Sequence, residues 1–275
     1  MPRVTKQTVK PRKKKSAARS AWDMDTGVKI NLYGRSGTGK TTLWATFPGP
    51  ILALICSGGK QPGELHSIDT PEYRKKITAP TISDARQLDG LVAEQSESGR
   101  YATVVLDHLS AFSMLVFKDV LELEKAPLTA SWGMATQAQW GVINSQVIRR
   151  LFALLSLPCN VIVVAQERDF NTDSEGDLIM PYVASAATPG VVGWLNPACD
   201  YICQTFIRRK TKEKTVKIGG KTVTKRKDVR GVEYVLRTAP HDVYTTKFRL
   251  PRGRELPDVI VDPSYEKLMR LIEGD

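Results

Sequence analysis

Val28-Lys29-Ile30-Asn31-Leu32-Tyr33, followed by Gly34-Arg35-Ser36-Gly37-Thr38-Gly39-Lys40-Thr41-Thr42, runs from a strand-like segment into a helix start through the spacing GxxxxGK[ST]. That spacing has a mechanism. Glycines let the backbone curl so that consecutive N–H groups converge on an anion, and the helix behind them adds its positive end. Residues 34–42 are therefore expected to cradle the phosphates of ATP. Lys40 would reach the β- and γ-phosphates, and Thr41 would offer its hydroxyl to Mg²⁺. The strand before the loop and the helix after it separate this reading from that of an ordinary glycine-rich turn.

Outward from the loop, strand-like and helical segments alternate, which predicts an α/β fold: a mostly parallel central sheet with helices on its faces. Ile51–Cys56, Tyr101–Asp107 and Val161–Ala165 are continuous apolar runs, the pattern of strands buried on both faces. Leu109, Phe112, Val116, Val120 and Leu123 fall at helical spacing, as do Trp140, Ile143, Val147, Leu151, Phe152 and Leu155. Residues 168–185 read as a polar loop, with a short helix near Pro189–Pro197. Strands are expected at Tyr201–Phe206, Glu233–Arg237 and Tyr244–Leu250, and a last helix at Tyr265–Ile272. Thr215 to Thr224 carries Gly219-Gly220 between two polar, β-prone stretches, a hairpin signal whose register sets Val216 opposite Val223 and Lys214 opposite Lys225.

The chain has 275 residues and a net charge of +11, and the charge is not spread evenly. Residues 1–20 hold eight Lys/Arg and no acid, residues 208–230 hold eleven against two acids, and all other residues together carry −6. Positive charge gathered into two segments fits a polyanionic partner. Residues 1–22 are expected to be a disordered basic tail preceding an ATPase domain at 23–275, with 208–230 as a basic hairpin arm. Arg12, Lys13, Lys14 and Lys15 in the tail are candidate nucleic-acid contacts. So are Arg208, Arg209, Lys210, Lys217, Lys221, Lys225 and Arg226 in the arm, where opposed lysines would be relieved by a phosphate backbone. A solubilising tail, an import signal and a solvated hairpin are the alternatives for these segments. The four cysteines lack metal-site spacing and read as buried thiols. With no apolar run long enough for a membrane and none behind the basic N-terminus, a cytoplasmic protein without a membrane partner is expected.

Asp107 ends an apolar strand, where α/β sheets place ligand-binding groups, and its carboxylate would hold Mg²⁺ through water. Capping the helix from Leu109 is its compatible alternative. His108 follows, so a base for the attacking water must come from elsewhere: Glu64 is the candidate and Glu167 its competitor. Gln166 ends the Val161–Ala165 strand, where an amide can touch the γ-phosphate or orient water. Lys247 and Arg249 flank Phe248, so alternation sets both cations on one face, suited to phosphate charge across a subunit boundary.

In this order, the loop at 34–42, Val104-Val105-Leu106-Asp107, Val163-Val164-Ala165-Gln166 and Lys247-Phe248-Arg249 resemble a RecA-like P-loop ATPase core. The resemblance narrows to the phage AAA-type nucleotide-binding and single-strand annealing proteins, over about Val28 to Val261. It implies that Gln166 couples nucleotide state to a DNA-binding loop near 168–188, and that Lys247 and Arg249 reach a neighbour's nucleotide in a filament or ring. It also implies single-stranded DNA and other replication or recombination proteins as partners, and the bacterial host cytoplasm as the place of action. Base stacking on Phe170 or Tyr182 is a further expectation. The chain departs from the family pattern in lacking a glutamate close behind Ile51–Cys56 and in carrying His108. A nucleotide-switched helicase loader with little turnover, and a small-molecule kinase whose lid is 208–230, share the same phosphate loop.

Overall fold

A computed structural model describes residues 27–56, 63–123, 135–172, 178–218 and 221–274; for Glu64, Thr172, Leu178, 211–218 and 221–228 it describes the backbone alone. The candidate nucleic-acid contacts at Arg12, Lys13, Lys14 and Lys15 lie outside the described residues.

Strands β1 (Lys29–Gly34), β2 (Ile51–Ile55), β3 (Ile77–Thr78), β4 (Thr103–Asp107), β5 (Asn160–Ala165), β8 (Tyr201–Ile218), β9 (Lys221–Arg237), β10 (Lys247–Phe248) and β11 (Val259–Val261) build a nine-stranded sheet. Its order is β11-β9-β8-β1-β5-β4-β2-β3, with β10 beside β8. Pairing is parallel from β8 through β3, and β9, β10 and β11 add antiparallel at one edge. This is the mostly parallel α/β sheet expected of a P-loop core. It extends into the long β8–β9 ribbon, where Val216 does face Val223 and Lys214 does face Lys225.

The apolar runs are explained by two cores, one on each face. On β5, Val161, Val163 and Ala165 enter one core while Ile162 and Val164 enter the other; β2 and β4 divide their residues the same way. The first core lies under α3 (Ala85–Ser98), α4 (Leu109–Val120), α5 (Gln137–Leu155) and α6 (Pro189–Ala198). The second lies under α1 (Lys40–Ala45), α2 (Pro71–Lys76), α7 (Tyr265–Glu273) and a 3₁₀ helix at Gly63–Ile68. Each fully buried Leu, Ile or Val contributes about 1.5–3 kcal/mol, so a strand that feeds both faces anchors the sheet twice.

Several elements escaped the periodicity reading, and two of these misses are instructive. A helix over Ala85–Ser98 begins with a capping box, in which Asp84 accepts from the helix backbone and Gln87 reaches back. Its apolar stripe is thin, with only Leu88 and Val92 as large buried apolar residues. The second is a correction: residues 168–185 are not a loop. Here β6 (Glu167–Thr172) and β7 (Leu178–Ser185) form an antiparallel hairpin. Phe170, Val183 and Ala184 are buried, and the polar residues between them masked the alternation. The strand expected over Tyr244–Leu250 shortens to Lys247–Phe248.

All four cysteines are buried and free, and burial pushes the Cys199 and Cys203 thiols up to about 12. No group of metal-ligating side chains stands together among the described residues, and none of the described helices is long and apolar enough to cross a membrane.

Candidate functional site

The loop between β1 and α1 is shaped by its glycines. Gly37 and Gly39 hold φ of +78° and +88°, where an L side chain is strained. A Cβ on Gly34 would strike the backbone oxygen of Thr205, so β1 and β8 can pair this closely only without a side chain there. Thr38 ties the loop down: its hydroxyl donates to the Arg35 carbonyl at 2.8 Å and lies 2.7 Å from the Thr205 hydroxyl.

Lys40 folds over this turn. Its Nζ donates to the carbonyls of Gly34 and Arg35, both at 2.7 Å, and the residue is 8% exposed. Burial lowers the ammonium pKa to about 8, against the upward pull of Asp107 and Glu167. Two neutral carbonyls are a poor substitute for water around a cation, so an anion entering the loop is favoured.

Strand register brings the other groups to the same place. Asp107 pairs with Ile55 on one side and Val164 on the other, and alternation from Val105 puts it on the face that carries α1. Trp44, fully buried in α1, donates its indole Nε1–H to Asp107 Oδ2 at 3.0 Å. Gln166 lies two residues beyond Val164 on that face. A cleft of about 440 Å³ results at the carboxyl ends of β1, β4 and β5. Lys40, Thr41 and Thr42 line it from the loop side, Asp107, His108 and Gln166 from the sheet. Its size falls within the range of small-ligand sites. The donor set fits a triphosphate and its Mg²⁺: a glycine nest, one desolvated ammonium, a hydroxyl at Thr41 and a carboxylate at Asp107.

The cleft also takes in residues that pattern reading missed. Ser67, from the 3₁₀ helix, lines it, and so does Tyr234 from β9. Glu64 belongs to that same 3₁₀ helix by backbone, and its side chain lies outside the described residues. His108, not Asp107, caps α4, its Nδ1 accepting from the Ala111 N–H at 3.2 Å. Glu167 is held on both oxygens, by Arg35 Nε at 2.6 Å and Gln204 Nε2 at 3.1 Å. Gln204 Oε1 in turn accepts from Arg237 Nε at 3.0 Å, and the Arg237 guanidinium lies over the rings of both Phe206 and Tyr244. A continuous polar chain thus joins the phosphate loop to β6 and to the root of the ribbon.

Lys247 and Arg249 sit elsewhere. Lys247 is level with Ile202 near the start of β8, whereas Gly34 is level with Thr205 at the other end of the shared register. The Lys247 ammonium donates to the carbonyls of Asn196, Pro197 and Cys199, the groups left unpaired where α6 ends. Arg249 pairs with Asp200 at 2.9 Å. Both cations are thus partnered within the chain, and neither lines its own cleft. Phe170 is corrected as a stacking surface. It is 3% exposed, stacked on Tyr182 at 5.0 Å with the Arg168 guanidinium over its ring.

In the ribbon, Arg208 pairs with Glu233 at 2.9 Å, while Arg209 and Lys210 are exposed. The side chains of Lys217, Lys221, Lys225 and Arg226 lie outside the described residues.

A family model described as an AAA domain matches residues 26–250, which takes in the loop, Asp107, Gln166 and the whole ribbon. No curated protein matches the chain.

Proposed function

We propose, from the premise that the chain belongs to the AAA domain family of P-loop ATPases, that it is a DNA-dependent ATPase of phage type. In this reading it binds single-stranded DNA and acts in recombination, annealing or replication. One observation carries the proposal: the cleft that gathers Lys40, Thr41, Asp107 and Gln166 lies at the root of a ribbon whose sequence from 208 to 230 is strongly basic.

Each residue has a definite task. The N–H groups of residues 36–41 hold the phosphate oxygens, and Lys40 exchanges its two carbonyl partners for the β- and γ-phosphates. Thr41 and Asp107 would hold Mg²⁺, which would supply charge neutralisation on the triphosphate. Trp44 holds one Asp107 oxygen and so fixes the orientation in which the carboxylate would meet the metal. Gln166, which lines the cleft, would meet the γ-phosphate and, through the backbone of β6 that begins one residue later, report it. DNA is held by charge, from the arm and the tail. Assembly into a filament or ring is part of the proposal, with Lys247 and Arg249 freed from their internal partners only if a neighbour's nucleotide recruits them.

A second reading has its own support. His108 is spent on capping α4 and Glu167 on Arg35 and Gln204, which leaves Glu64 to activate water. A helicase loader or scaffold that binds ATP and turns it over slowly fits that arrangement.

Phosphate release measured with and without a single-stranded oligonucleotide separates the readings. Stimulation by DNA that vanishes in Lys40→Ala supports the ATPase, binding without turnover supports the loader, and phosphoryl transfer to a nucleoside monophosphate would make the protein a kinase. DNA affinity should fall steeply with salt, with a shallower slope once residues 1–20 are deleted; salt-insensitive binding would count against electrostatic contacts.

A further inference from the structure

We propose that the exposed apolar face at the root of the β8–β9 ribbon, centred on Tyr234, is the platform on which the base of the bound nucleotide stacks. The inference rests on the reading of the phosphate loop as a nucleotide site and adds to it where the base goes.

The register places this face. Leu236 pairs with Thr205, which is level with Gly34 at the end of β1, and Leu236 is buried in the core under α1. Strand alternation sets Tyr234 on the same face, two residues further out, beyond the end of β1 and beside the start of α1. There the ring closes on the phosphate loop: Tyr234 Cδ1 lies 3.1 Å from the position a Cβ on Gly39 would take. Tyr234 lines the same cleft as Lys40 and Asp107 and is 44% exposed.

Its neighbours on that face are apolar and open as well. Ile207, directly across the ribbon, is 50% exposed, and Val232, two residues along β9, is 53% exposed. Of the seven large apolar side chains exposed to this degree among the described residues, three gather here, so the face is a patch and not scatter.

The cleft itself names the occupant. Its other lining groups are glycines, hydroxyls, charged groups, the Gln166 amide and His108, whose ring is engaged as a helix cap. A nucleotide anchored by its phosphates carries a flat apolar base one ribose away, and the ring of Tyr234 is the surface at the cleft that matches it. An aromatic face accepts any base and holds a purine better than a pyrimidine because more area stacks. Tyr234 also lies on β9, the strand that carries one side of the basic arm, so the stacked base and the arm would share one strand.

Calorimetric titration of ATP, CTP and inorganic tripolyphosphate against the wild type, Tyr234→Ala, Tyr234→Phe and Lys40→Ala tests the assignment. Tyr234→Ala should weaken ATP roughly ten- to a hundredfold, remove the preference for ATP over CTP, and leave tripolyphosphate affinity unchanged; Tyr234→Phe should bind as the wild type does. Equal weakening of ATP and tripolyphosphate would mean that the ring only shapes the loop, and would overturn the proposal. So would unchanged ATP affinity, including the case in which Tyr234→Ala alters only self-association in sedimentation. Failure of the underlying reading shows separately, as tripolyphosphate binding that survives Lys40→Ala.

Discussion

Raising the pH from about 7.5 to about 9 is expected to weaken ATP binding about tenfold, through Lys40. In the ligand-free protein, burial lowers this ammonium from its ordinary 10.5 to about 8. A triphosphate set against it supplies several negative charges in a partly desolvated cleft and raises the pKa again. Above about pH 8 the free protein has lost a proton that the complex keeps, so binding there must take one up. The dissociation constant then rises by about one decade per pH unit, and the rise stops where the lysine of the complex itself titrates. With the lysine of the complex restored to the ordinary 10.5 or beyond, the full span is at least about 2.5 decades. Titrations at constant ionic strength, in two buffers of different ionisation heat, read both the slope and the proton uptake. ATP itself is fully ionised over this range, so Lys40→Met should give a flat and uniformly weak profile. A flat wild-type profile, or the same slope in Lys40→Met, would refute the reasoning.

Trp44→Phe removes the donor to Asp107 Oδ2 in a site where the indole is fully buried and the carboxylate 5% exposed. A loss of about 2 kcal/mol in urea unfolding is expected, with weaker Mg²⁺-dependence of nucleotide binding. Phe170→Ala should cost about 3–5 kcal/mol of stability, the penalty for emptying a packed aromatic site, and leave DNA affinity intact while the protein is folded. Native stability with weakened DNA binding would reverse that assignment. Lys247→Ala strands three carbonyls at the end of α6 and should lose about 1–2 kcal/mol with unchanged nucleotide affinity. Native stability with abolished hydrolysis would instead support the role across a subunit boundary.

The legible parts of this fold are those written in short segments. The glycine turn, the strand before it and the runs at Ile51–Cys56 and Val161–Ala165 could be read because a buried parallel strand needs apolar residues on both faces. The hairpin at 215–224 was legible from Gly219-Gly220, and its register followed by counting outward from the turn. The β6–β7 hairpin was not, since buried Phe170 is flanked by Asp169 and Asn171 and the sequence that follows is polar. The partners of Lys247 were not legible either, for a different reason. Alternation along a strand states which face a side chain takes, and says nothing of the helix end that waits there.

What the sequence determined by itself is local: a nest that can hold phosphate, a lysine placed to use it, strands with two buried faces, and charge collected at 1–20 and 208–230. Those properties depend on residues within a few positions of one another. Tertiary structure alone decided that Asp107, Gln166, Ser67 and Tyr234 share the cleft with Lys40, that Glu167 and Gln204 link loop to ribbon, and that Lys247 and Arg249 stand away from it. The physical reason is register: strands far apart in the chain meet side by side, and which side chains end level with one another is set by the pairing of the whole sheet and the cores on its two faces.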